Sequence, residues 1–155
     1  MSDRVFTQCY VVAGAIIEQE GKILLVKEGS HKPWAHGKWN QPAGWIDIGE
    51  DPIEATRREI KEETGFIFEP TGLVGIYSSA RPDLAKYVSA GFSHAFKLIF
   101  RGTIIGGTLT LDGDEIMEQR LFLPEEIDAL EDDVLRSPDI KQEVRDYIAG
   151  TSFPL

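Results

Sequence analysis

Three glutamates, Glu59, Glu62 and Glu63, stand three and four residues apart, a spacing that puts their carboxylates on one face of an α-helix. Anions held that close repel one another and are costly without a cation between them. Hard oxygen donors in this arrangement suit Mg²⁺, which keeps several of its waters and takes substrate phosphate oxygens as further ligands. A solvated acidic helix face has the same spacing, so the neighbouring residues must decide. Glu50 precedes the trio and Arg58 adjoins it. A guanidinium fork matches phosphate oxygens. Residue chemistry therefore suggests Arg58 as a clamp on substrate phosphate.

The element carrying these side chains is well marked. Asp51-Pro52-Ile53-Glu54 opens a helix, with Asp51 as cap, Pro52 at the first helical position and Glu54 expected to complete a capping box. Gly65 closes it where a left-handed residue is favoured. Before the helix, KWNQPAGWI (38–46) predicts a short strand near 43–46, reached by a loop from Gly29.

From Gly44 to Phe66 the chain reads GWIDIGEDPIEATRREIKEETGF. This segment resembles the Nudix box at every fixed position. The resemblance implies metal-assisted attack of water on a pyrophosphate bond, with Mg²⁺ as cofactor and Mn²⁺ as substitute. It implies that Glu62 and Glu63 are the principal metal ligands and that Glu59 is a further ligand or the base. It also implies that Arg58 pairs with Glu50 to hold loop against helix, beside Gly44, and that the carbonyl of Ala43 or Gly44 faces the metal. Many Nudix proteins have glycine where this chain has Ala43, a minor departure because a carbonyl needs no particular side chain. WNQPAG, LRSPDI and a closing FPL look most like the phosphatase-like bacterial branch. That branch acts on nucleoside di- and triphosphates and on a pyrimidine diphosphate of thiamine biosynthesis.

Outside the box the signals are weaker. The base in this family can come from a later loop, which makes Asp112-Gly113-Asp114-Glu115 a candidate turn, with Glu115 named and Glu118 shortly after. Trp34, Trp39, Trp45, Tyr77 and Phe92 are able to stack on a ring; Trp34, in a loop with Pro33 and His31, is the best placed. Arg81 and Lys27 are candidate phosphate ligands. His31, His36 and His94 lack the ordered spacing of a zinc site.

The remaining pattern predicts strands over 8–18, 22–27, 72–79, 92–101 and 115–123, the first two as a hairpin. Gly106-Gly107 is expected at a turn. Helices are predicted over 124–130 and from Ser137-Pro138 to about 149, with Ile140, Val144, Tyr147 and Ile148 inward. The order describes one α/β (α+β) domain over 1–155, a mixed sheet flanked by helices; the resemblance implies the Nudix-type α/β/α sandwich.

Composition bounds the partners. The 155 residues carry a net charge of −10, which repels long nucleic acid but admits small phosphates once a cation neutralises the site. No apolar run approaches a membrane span. MSDRVFTQ holds an acid and no apolar signal core, and a lone Cys9 forms no internal disulfide, which points to the cytoplasm. The expected partner is a small phosphorylated substrate, with the protein a monomer or homodimer. A non-catalytic nucleotide sensor of the same fold and a hydrolase of dinucleotides or sugar nucleotides are the alternatives. Retention of Glu50, Glu59, Glu62 and Glu63 weighs against the sensor.

Overall fold

The computed structural model describes residues 10–78, 95–111 and 113–155. Within it the apolar run VVAGA forms β1 (Val11–Ala15), the middle of a mixed sheet. β1 pairs in parallel with β7 (Phe96–Gly107) and antiparallel with β5 (Ala43–Trp45); β6 (Phe66–Tyr77) lies on the far side of β7. A second sheet forms around β3 (Lys22–Glu28). β8 (Ile116–Phe122) takes one edge of β3, while β2 (Glu18–Gln19) and β4 (Trp39–Asn40) share the other.

Side chains alternate across a strand, so β3 feeds two apolar clusters. Ile23 and Leu25 join Ile16, Trp39, Val74, Ile99 and Phe122, covered by α2 (Pro124–Asp128) and α3 (Asp139–Ile148) through Ile127, Ile140 and Val144. Leu24 joins Ala13, Ala15, Ile17, Phe66, Phe68 and Phe100, covered by α1 (Pro52–Thr64) through Ala55 and Ile60. Helices thus flank both faces, the α/β/α sandwich. Burying a side chain such as Ile60 contributes about 1.5–3 kcal/mol, so the apolar stripe of α1 fixes which way its other faces point. Among the described residues no helix is long and apolar enough to cross a membrane.

Several expectations are corrected. The strands at 8–18 and 22–27 do not form one hairpin: β1 pairs with β5 and β7, and only the short β2 folds back on β3. At Gly14 a Cβ would overlap Ala43 and the Pro42 carbonyl, so β5 needs a glycine to lie this close to β1. Gly106 and Gly107 are not a turn but the end of β7, paired with Ile67 and Phe66. That pairing starts β6 at Phe66 rather than Gly72. Ile148 is exposed, whereas Ile140 and Val144 are buried and Tyr147 packs at the margin. Glu54 leaves the capping box undone; its carboxylate is held by Arg57 one turn on.

Candidate active site

α1 is placed by local chemistry at both ends. Asp51 Oδ1 accepts the Ile53 N–H at 2.8 Å, Pro52 follows, and Gly65 closes the helix at φ 78° with its N–H on the Lys61 carbonyl. The C-terminal turn is also clipped from outside. Gln119 on β8 donates to the backbone carbonyls of Glu63 and Thr110, each at 2.7 Å.

The three glutamates meet different surroundings. Glu63 is buried, and its Oε2 accepts the Ala43 N–H at 2.9 Å. Burial pushes its carboxyl well above the usual range, and the charges of Glu28 and Glu59 push the same way. Glu59 lies against β5 at Gly44, where a Cβ would overlap its carboxylate; glycine leaves the room that the carboxylate occupies. Burial raises the Glu59 carboxyl too, opposed by Arg58 and assisted by the charge of Glu62. Glu62 is exposed and lies 3.3 Å from Arg58 Nη1.

Arg58 gathers the group. Its Nε and Nη2 each reach Glu50 at 2.8 Å, Nη1 reaches Glu59 at 2.6 Å, and Nη2 also donates to the Trp45 carbonyl at 3.0 Å. Hydrogen bonds from Arg58 hold the Glu50 carboxyl down at about 2, assisted by the Asp47 N–H. The same pairing raises the guanidinium further above its ordinary range. The geometry is that of a side chain bound to the loop before α1.

Ala43 meets Glu63 through its N–H. Among the described residues no three His, Cys, Asp or Glu groups form a ready metal cage. Arg58 and the Ala43 N–H hold the carboxylates instead. The donor set still fits a hard divalent cation: carboxylates on one helix face, one of them exposed, and two with burial that disfavours an uncompensated charge.

Glu28 is a buried acid that sequence reasoning did not single out. It is buried at the end of β3, bonded to Asn40 and paired with Lys32. A signal existed: Leu24, Val26 and Glu28 share one face of the strand, and only the last is charged.

The other candidates scatter. Trp39 is core, edge-on to Phe122 at 5.0 Å. Tyr77 donates to Asp146 of α3 at 2.7 Å. Lys27 pairs with Glu118 at 3.1 Å, which engages both. Trp34 and Trp45 are exposed, as are His31 and His36. Glu115 is exposed, and its carbonyl takes the N–H of Gly29, next to Glu28. Arg81, Phe92, His94 and Asp112 lie outside the described residues.

This architecture recurs in known proteins. A NUDIX domain family model matches residues 8–144. The chain is 36% identical over 119 residues to an ADP-ribose pyrophosphatase of Methanocaldococcus jannaschii, covering 77% of this chain but only 64% of that protein. It is 32% identical over 148 residues to phosphatase NudJ of Escherichia coli, covering 94% of this chain and 88% of NudJ. A NUDIX hydrolase structure from Nitrosomonas europaea superposes with a TM-score of 0.76 at 32% identity, covering 96% of this chain and 94% of that one. A family model spanning most of the chain, with the glutamate helix and its arginine in the middle of the match, places this protein in the NUDIX hydrolase family.

Proposed function

We propose that the protein is a Mg²⁺-dependent hydrolase of the pyrophosphate bond in nucleoside di- or triphosphates or a related organic diphosphate, a thiamine-precursor pyrimidine diphosphate included. The observation that carries this is the division of labour around α1, where Glu50 holds Arg58 while Glu59 and Glu63 lie against β5 and Glu62 stands exposed beside Arg58. The 32% identity to a protein named as a phosphatase, over nearly the whole chain, supports the substrate range.

Glu62 and Glu63 are the proposed metal ligands, with the Ala43 carbonyl as a backbone donor. A bound Mg²⁺ or Mn²⁺ supplies an acidified water and offsets charge on the leaving phosphate. Glu59 takes the proton of the attacking water, since burial has raised its proton affinity. The water oxygen bonds to phosphorus, the bridging P–O bond breaks, and two phosphate-bearing products leave. Arg58, already bound by Glu50 and the Trp45 carbonyl, keeps Glu59 in place.

A second reading, hydrolysis of a dinucleotide or sugar nucleotide such as ADP-ribose, draws on the 36% identity to an ADP-ribose pyrophosphatase. A sensor role has less support. The ADP-ribose-bound NUDIX domain of NrtR from Shewanella oneidensis is only 14% identical and shows a likeness of fold alone. Incubation with Mg²⁺ and a panel of both substrate classes, with orthophosphate and pyrophosphate quantified separately, tests the proposal. Release from the first class supports it, release from ADP-ribose alone selects the second reading, and no turnover by folded protein with either metal overturns both.

A further inference from the structure

Glu28 is only 2% exposed, yet its carboxylate is poorly satisfied. Oε1 accepts from Asn40 Nδ2 at a long 3.4 Å. Oε2 is buried with no hydrogen-bond partner and lies 3.8 Å from Lys32 Nζ, within ion-pair range but beyond a hydrogen bond. Asn40 Nδ2 holds Glu28, and three residues on the Ala43 N–H holds Glu63, itself 4% exposed, at 2.9 Å. Two buried carboxylates, one from β3 and one from α1, therefore meet the same short stretch, 40–43. A buried anion is costly unless paired or bound to metal, and Lys32 falls short of pairing Glu28 fully.

We propose that Glu28 is a metal ligand contributed by β3, which with Glu63 holds a divalent cation between sheet and helix, and that Lys32 is a tethered ammonium competing for the same place. The proposal rests on the hydrolase reading above and extends its metal site beyond the box. Glu28 suits the task because the pairing of β3 with β4 and β8 fixes its backbone, and Asn40 fixes the orientation of one oxygen while the other stays available. Lys32 comes from the loop after β3 and remains partly exposed, so its ammonium is able to withdraw toward solvent or a phosphate.

The test is Mn²⁺ binding to the whole protein without substrate, counted by electron paramagnetic resonance of free Mn²⁺. Glu28→Gln is expected to weaken binding about tenfold or more. Glu28→Asp keeps the charge but shortens the reach, and is expected to weaken binding nearly as much. A Glu28 that acted only through space would leave the Asp variant at wild-type affinity, which overturns the proposal. Lys32→Met is expected to tighten binding, because a competing cation has gone; unchanged or weaker binding overturns it, and this variant decides alone should the Glu28 variants not fold. Wild-type protein that binds no Mn²⁺ overturns the hydrolase reading as well. Binding that Glu62→Gln weakens but Glu28→Gln does not overturns the Glu28 assignment only.

Discussion

Arg58 holds Glu50 by two parallel hydrogen bonds of 2.8 Å, Nε to Oε1 and Nη2 to Oε2, and so ties the loop before α1 to the second turn of the helix. The fork is what makes the contact rigid, because a lysine at 58 offers one point charge and no plane. Glu50 also accepts the Asp47 N–H, so a single carboxylate orders both its own turn and the arginine.

Glu50→Gln is expected to lower both stability and turnover, with a stability loss of about 1–3 kcal/mol for a charge-assisted pair. The pH dependence has a definite sign. The folded-state carboxyl sits at about 2 against an ordinary 4.5, so its stabilisation is complete above 4.5 and lost as pH falls through about 2. Urea melts of both proteins from pH 7 to 2 should show the gap closing across that acid range. A gap that is constant with pH would sink the assignment.

Gly44→Ala places a methyl where the Glu59 carboxylate lies. Displacing a positioned catalytic group by an ångström costs about a hundredfold in rate, so kcat should fall by about that much while the thermal midpoint changes little. Gly106→Ala, whose Cβ would meet Ile67 at an ordinary 3.4 Å, serves as control. Full turnover by the Gly44 variant would show that Glu59 does not need its observed position.

Glu63→Gln keeps an acceptor for the Ala43 N–H but carries no charge. The wild-type carboxyl titrates above its unfolded value, so in EDTA its ionisation costs stability. Wild-type stability should therefore decline as pH rises from about 4.5 toward the raised folded value, relative to the variant. The variant should be at least as stable at pH 8 and lose metal-dependent turnover. Near-normal turnover with Mg²⁺ would remove Glu63 from the site.

Lys97 on β7 and Glu143 on α3 form an ion pair with side chains 7% and 0% exposed. Lys97→Met alone strands a buried carboxylate and should cost about 3–5 kcal/mol, while Lys97→Met with Glu143→Leu should recover most of the loss. Denaturant unfolding of the single and double variants measures this. Equal losses in both would mean that the stranded carboxylate carries no penalty.

The helix of the site was legible because its determinants are contiguous. The Asp51 cap, Pro52, the glutamate spacing and Gly65 act within one or two helical turns, and α1 runs from Pro52 to Thr64 as these residues require. The pairing of Arg58 with Glu50 was what the family resemblance implied; residue chemistry alone offered Arg58 a phosphate. Strand partners were less legible. The apolar runs around β1 and β3 carry no mark of whom they pair with, and the expected hairpin gave way to the parallel pairing of β1 with β7.

By itself, then, the sequence determined the course of α1 and the presence of helices around a sheet, which rest on local spacing and capping, while the resemblance of its box pointed to the family. Tertiary structure alone decided that Glu28 and Glu63 are both held on the stretch 40–43, that Gln119 clips the end of α1, and that Lys97 meets Glu143 in the interior. The physical reason is common to all three. Each contact joins segments far apart in the chain, and its strength comes from burial, which a side chain acquires only when the sheets and helices close over it.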